Sequence, residues 1–170
     1  MSFIAQVTIS IVIYFIIRFF YQKEKSLYFA GFIAAFSYVL IYLATYEIIS
    51  IMPTIHFMVT GLSLLFIFIA YNEIIILERK VRKVKRGELI NIEPFSVERN
   101  YKIVFKLLGI GLIFLSLALV SGFTLQTIFT ANLLFKAIFT FIAWIIFLIT
   151  IIGVQYANFP IKYATRSLFV

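Results

Sequence analysis

Residues 107–125 read LLGIGLIFLSLALVSGFTL, a continuous apolar run that contains no charged side chain. The hydrocarbon core of a bilayer is about 30 Å thick, and an α-helix needs about 20 apolar residues to cross it. Similar runs occupy most of the chain, in which 64% of the residues are hydrophobic and the mean hydropathy is +1.10. The sequence therefore predicts an integral membrane protein.

Five segments are long enough to be membrane-spanning helices. Their runs are continuously apolar, whereas the strands of a membrane barrel alternate between apolar and polar residues. The sequence thus predicts an all-α fold, a polytopic membrane helix bundle with about five transmembrane helices in a single domain over residues 1–170. The expected helices cover residues 2–20, 27–51, 55–77, 103–125 and 133–156.

The distribution of basic residues predicts the orientation in the membrane. Of the fifteen Lys and Arg residues, all but Lys136 lie in or beside the first connection, the third connection or the C-terminal tail. Cytoplasmic connections carry an excess of Lys and Arg. We therefore expect a multi-pass protein with the N-terminus outside and the C-terminus in the cytoplasm.

The largest polar segment is the connection at residues 78–102, which we expect to be a cytoplasmic loop. Residues 79–86 read RKVRKVKR, from Arg79 to Arg86, and are expected to continue the third helix until Gly87 ends it. Such a segment attracts the anionic headgroups of a lipid bilayer; the alternative is a docking site for a protein partner. The net charge of +8 is explained by topology, so we expect no nucleic acid partner.

The residue inventory argues against enzymatic chemistry. The chain has no cysteine and no aspartate, one histidine and seven glutamates, most of which lie in the cytoplasmic connections. A disulfide or a thiolate metal site is excluded, and a metal cluster or a pair of catalytic carboxylates within the membrane is hard to assemble. We expect a protein that is not an enzyme.

His56 is the side chain best suited to bind a metal or to transfer a proton. His56, Thr60 and Ser63 share one face of the third helix, and polar residues of membrane helices usually face the bundle interior. Three roles are open for His56: a hydrogen-bonded packing residue, a ligand of haem iron or another metal, or a proton relay. Trp144 lies in mid-span, which favours a packing or pocket residue, and Lys136 is placed to bind an acidic ligand or headgroup.

Two further patterns predict helix contacts. Glu73 and Lys106 lie at matching depth in the third and fourth helices, so we expect these helices to be antiparallel neighbours joined by this ion pair. Small residues at helical spacing mark close-packing surfaces; they are Gly111, Ala118 and Gly122 in the fourth helix and Gly31 and Ala35 in the second.

An ordered set of short elements runs from His56 to Lys162. It comprises Gly61-Leu62-Ser63, Ser96-Val97-Glu98-Arg99, Gly109, Gly111, Leu115, Leu117, Ser121-Gly122, Lys136, Ala143-Trp144, Phe147, Gly153 and Phe159 with Lys162. With these elements in this order, the chain resembles the cytochrome c assembly family of polytopic haem-handling membrane proteins. It resembles a shortened member that lacks the family's Trp-rich haem loop. The resemblance implies a bacterial inner (plasma) membrane protein that assists haem handling or cytochrome assembly together with a membrane protein partner.

The same resemblance implies a cofactor site. His56 takes the position of a family histidine that can ligate haem iron, with Lys136 and Trp144 against the porphyrin. A second outer histidine and the Trp- and Asp-rich outer loop are absent from the corresponding positions. The alternative is therefore a non-catalytic membrane scaffold or accessory subunit that has lost haem binding. A small transporter or channel subunit is less favoured, because no broken helix or set of buried charges lines a path.

Overall fold

The computed structural model describes residues 2–20, 26–45, 51–87, 97–125 and 131–156. These residues form five α-helices, each long and apolar enough to cross a membrane, which confirms the predicted all-α fold. The helices are α1 (Phe3–Phe20), α2 (Ser26–Thr45), α3 (Ile51–Lys85), α4 (Val97–Leu125) and α5 (Ala131–Tyr156).

Helix α3 begins earlier than expected, and its basic extension ends where expected. It begins before Pro53, which occupies the first turn, where the missing N–H costs no hydrogen bond. At the other end it continues through the basic residues to Lys85, and Gly87 follows in the left-handed conformation with φ of 72°. Its 35 residues correspond to about 52 Å at 1.5 Å per residue. The basic part of α3 therefore extends beyond an apolar span, and residues 88–96 of the expected loop lie outside the described residues.

Interhelical hydrogen bonds show that neighbouring helices in the chain are antiparallel. They join Gln6 of α1 to Thr45 of α2, Ser63 of α3 to Gly111 of α4, and Trp144 of α5 to Ser116 of α4. The bundle consequently has two ends of different character. Arg18 and Lys85 lie at one end, which we name the basic end. Thr45 and His56 lie at the other end, which we name the opposite end.

Four tyrosines of the described residues form part of the core, and three of them are almost fully buried. Tyr14, Tyr38 and Tyr42 are buried, and a buried hydroxyl needs a hydrogen-bond partner. The hydroxyl of Tyr38 donates to the Phe57 carbonyl and that of Tyr42 donates to the Thr54 carbonyl, each at 3.2 Å. These bonds hold α2 against the first turns of α3.

The contact between α3 and α4 depends on glycine. A Cβ added at Gly111 would lie 2.9 Å from Ile67 Cγ1 and 3.2 Å from the Ile67 backbone nitrogen. This proximity lets the Ser63 hydroxyl donate to the Gly111 carbonyl at 3.2 Å. The expectation that the third and fourth helices are antiparallel neighbours is confirmed. Gly122 makes a similar close contact with His56.

Candidate functional site

His56 lies in α3 near the opposite end and packs against α4. Its Nδ1 is 2.9 Å from the hydroxyl of Ser121, and its Cε1 would lie 3.2 Å from a Cβ at Gly122. The Ser121 hydroxyl also donates to the Ala118 carbonyl at 3.1 Å. A hydroxyl has one proton, so when Ser121 donates it to Ala118, His56 donates from Nδ1 and has its lone pair on Nε2; in the other tautomer Nδ1 accepts from Ser121. The imidazole is therefore oriented by α4.

The polar stripe expected on α3 is only partly directed into the bundle. Ser63 is fully buried and bonds across to α4. Thr60 is half-buried, and its hydroxyl donates to the carbonyl of His56 one turn earlier in the same helix, at 2.7 Å. His56 and Ser63 thus link α3 to α4, whereas Thr60 satisfies its hydroxyl locally.

Trp144 lies on a different face of α4 from His56. Its Nε1 donates to the Ser116 hydroxyl at 2.8 Å, and its ring stacks on Phe141 with centroids 5.9 Å apart. Ser116 and Ser121 are about 140° apart around α4 and about 7.5 Å apart along its axis. The structure therefore places Trp144 and His56 against separate surfaces of the same helix, and it does not bring them together.

Lys136 lies in the first turns of α5, at the opposite end, and its side chain is exposed. Its carbonyl accepts a hydrogen bond from the Thr140 hydroxyl at 2.9 Å, which is a contact within α5. Two cavities in the bundle, of about 260 Å³ and about 20 Å³, are lined by other residues. His56 and Lys136 lie toward the opposite end and Trp144 lies in mid-span, and the three residues predicted to contact a porphyrin line neither of the two described cavities.

The expected ion pair between Glu73 and Lys106 is wrong. Glu73 is paired instead with Arg18 of α1, whose Nε lies 3.0 Å from Glu73 Oε1. Lys106 is exposed on α4, since the neighbouring Phe105 and Leu107 take the buried positions. The two residues do lie at similar depth, but α4 turns Lys106 away from the bundle and α3 turns Glu73 toward α1.

The Glu73 carboxylate is the centre of a hydrogen-bonded cluster that the sequence did not reveal. The Tyr14 hydroxyl donates to Oε1 at 2.5 Å, and Arg18 Nη2 approaches Oε2 at 3.4 Å. Glu73 is buried, so its charge requires these partners. Tyr14 and Arg18 are spaced by one helical turn in α1, and this spacing is the only sequence signal of the cluster.

A second polar group joins α1 to α2 near the opposite end. Gln6 is buried, and its Nε2 donates to Thr45 Oγ1 at 2.6 Å. Among the described residues no hydrogen-bond partner is found for Gln6 Oε1. The amide is therefore half satisfied, which makes this contact weaker than the Glu73 cluster.

An apolar groove with a volume of about 260 Å³ lies at mid-depth in the bundle. Val7 and Ile11 of α1, Leu108 of α4 and Phe147 of α5 form its sides, and α3 forms its floor. A smaller cavity of about 20 Å³ adjoins Arg18, Glu73 and Lys80 at the basic end. The larger space has the size and lining of a site for a hydrocarbon group rather than for a polar substrate.

The described residues contain no group of three or more His, Cys, Asp or Glu side chains that could hold a metal ion. Comparison of the chain with protein-family models, with curated proteins and with solved structures found no match in any of the three. The resemblance to the cytochrome c assembly family therefore stays a hypothesis.

Proposed function

We propose that this protein is a non-catalytic, multi-pass membrane scaffold or accessory subunit that holds a membrane protein partner. The observation that carries the proposal is the way the candidate cofactor residues are used. His56 is bonded to Ser121, and Trp144 is bonded to Ser116 on another face of α4. Both polar side chains thus serve contacts between helices, which is the role that such residues commonly have in membrane bundles.

The same pattern holds for the buried charges. Glu73 is neutralised by Arg18 and hydrogen-bonded by Tyr14, so it is part of a structural cluster rather than an open acid or base. Arg79 and Arg82, by contrast, are exposed on the extension of α3. We propose that residues 79–86 contact anionic headgroups. We also propose that the protein lies in the inner membrane of a bacterium, with the basic end facing the cytoplasm and the N-terminus outside.

Reporter fusions test the orientation. A reporter inserted after Arg86 and another placed after Val170 should both show activity on the cytoplasmic side. An external signal from either position contradicts the proposed topology. This experiment does not depend on the partner or on a cofactor.

Haem handling is the second candidate, and the contact of His56 Nδ1 with Ser121 favours it. A histidine that ligates iron through Nε2 usually donates its Nδ1 proton to a neighbouring acceptor, as His56 can do with Ser121. His56 would then supply one axial ligand, and the chain has no second histidine. Lys136 and Trp144 do not close around the same space, so the proposal requires a partner subunit to complete the site.

Purification in mild detergent from cells supplied with haem separates the two functions. The scaffold proposal predicts a colourless protein and a stoichiometric membrane protein partner, identified by mass spectrometry, that is retained by His56→Ala. The haem proposal predicts a Soret band that is lost in His56→Ala and retained in the control Trp144→Phe. A Soret band in the His56→Ala protein would show that His56 is not the ligand.

A further inference from the structure

The groove at mid-depth is open to the membrane rather than sealed. Its floor is made by four residues of α3: Leu64, Ile67, Phe68 and Tyr71. Leu64 and Phe68 keep 48% and 42% of their surface exposed, although they line the space. A hydrocarbon chain can therefore enter from the side without any movement of the helices.

The floor of the groove continues along α3 into the basic extension. Arg82 follows Leu64 by about five full turns, and Arg79 follows Phe68 by about three, so the four residues lie on one stripe of the helix. Ile75 lies on the same stripe between the groove and the arginines. Both arginines are exposed at the basic end. One face of α3 thus presents an apolar floor and then two guanidinium groups.

Helix α1 leaves this stripe uncovered toward the basic end. Near the opposite end α1 contacts Phe57 through Phe3, with ring centroids 6.3 Å apart. Near the basic end it contacts Glu73 through Arg18, and Glu73 lies about half a turn around α3 from Leu64. The part of the stripe between the groove and the two arginines is therefore not covered by α1, because α1 crosses to the other face of α3.

The dimensions fit one leaflet of a bilayer. From Phe68 to Arg79 the helix rises about 16 Å at 1.5 Å per residue, and half of the hydrocarbon core is about 15 Å thick. A chain lying in the groove would place its headgroup beside Arg79 and Arg82. Arginine binds phosphate oxygens in bidentate geometry, which an uncharged headgroup cannot use.

We propose that this protein holds one anionic phospholipid, with an acyl chain in the groove and the headgroup phosphate between Arg79 and Arg82. The inference rests on the proposed contact of residues 79–86 with anionic headgroups, and it is independent of the scaffold and haem roles. A free phosphate would leave the groove empty, and a lipid without phosphate would leave the arginines without a partner. In phosphatidylcholine the choline ammonium would offset the phosphate charge that the two arginines bind. The combination of both features selects a charged lipid.

Native mass spectrometry of the full chain, titrated with defined lipids, tests the proposal. Long-chain phosphatidylglycerol should bind as a single adduct and more tightly than phosphatidylcholine with the same chains. The variant Arg79→Gln/Arg82→Gln should lose about thirtyfold in affinity, since each basic residue near the surface contributes a factor of about five. The control Lys102→Gln/Lys106→Gln removes the same charge from α4, outside residues 79–86, and should bind normally.

A second set of measurements tests whether the acyl chain lies in the groove. Phosphatidylglycerol with six-carbon chains and inorganic phosphate should not compete, and Leu64→Trp, which fills the groove, should weaken the long-chain lipid but not change the elution volume of the protein. Equal binding of phosphatidylcholine overturns the selection of an anionic lipid. Equal losses in the two double variants overturn the role of the arginines. Equal binding of the short-chain lipid overturns the role of the groove. None of these outcomes bears on the partner or on the Soret band.

Discussion

The contact between Arg18 and Glu73 gives the sharpest prediction about stability. The carboxylate is 4% exposed and the arginine side chain 15% exposed, so the pair is largely removed from water. Replacing Arg18 by methionine keeps an apolar side chain of similar length but removes the ion pair and leaves the Glu73 carboxylate hydrogen-bonded to the Tyr14 hydroxyl. We expect this single change to destabilise the bundle strongly.

The magnitude follows from the burial of the pair. Removing one partner of a buried ion pair costs about 3–5 kcal/mol, whereas replacing both by apolar residues of similar volume is often neutral. Arg18 lies near the basic end and reaches water with part of its surface, so we expect about 3 kcal/mol for Arg18→Met. The double variant Arg18→Met/Glu73→Met should recover most of that loss. The coupling energy between the two sites should therefore be at least about 2–3 kcal/mol, because any loss in Glu73→Met adds to it.

The assay is equilibrium unfolding in mixed micelles, followed by the fluorescence of Trp144, with a double-mutant cycle over Arg18 and Glu73. Lys106→Met provides the matched control, because Lys106 lies at the same depth but is exposed on α4. Combined with Glu73→Met it should be additive within about 0.5 kcal/mol. A coupling energy below about 0.5 kcal/mol for Arg18 and Glu73, or a larger one for Lys106 and Glu73, would refute the assignment of the ion pair.

Two further predictions concern α4. Gly111→Ala should cost about 1–3 kcal/mol in the same unfolding assay, because the new methyl group meets the backbone of α3. Gly109→Ala, where a Cβ has open space, should be neutral or gain up to about 1 kcal/mol from helix propensity, and equal effects would contradict the close contact. Ser116→Ala should shift the emission of Trp144, the single tryptophan, to shorter wavelength by removing its hydrogen-bond partner. Ser121→Ala should leave that emission unchanged.

The helices could be predicted because membrane insertion depends on length and hydropathy, which are properties of each segment alone. The run at residues 107–125 is sufficient to place α4 in the bilayer, and Gly87 marks the end of α3 by its positive φ. The bounds were less predictable where a helix leaves the membrane. Helix α4 begins at Val97 rather than at residue 103, because the charged residues of this segment interrupt the apolar run but do not stop a helix.

The partners of the polar residues could not be predicted from depth. Glu73 and Lys106 were correctly placed at similar depth, but a depth does not specify the face of a helix. In a soluble protein the apolar stripe would show which face is buried, whereas in a bilayer the lipid-facing side is as apolar as the core. Lys106 was therefore paired with Glu73 in the prediction, although Arg18 occupies that place in the structure.

The scarcity of polar residues connects the fold to the proposed role. In lipid, a polar side chain without a partner is costly, so the few that lie within the spans contribute most when they bond to one another. His56 with Ser121, Trp144 with Ser116 and Glu73 with Arg18 each join two helices in this way. Recruiting Trp144 or Glu73 for a ligand would break a contact on which the bundle depends, whereas His56 could bind a ligand through Nε2 and keep its Nδ1 contact with Ser121. Arg79 and Arg82 lie beyond the apolar spans and carry no such cost, and this is the physical reason for assigning recognition to the basic end of α3.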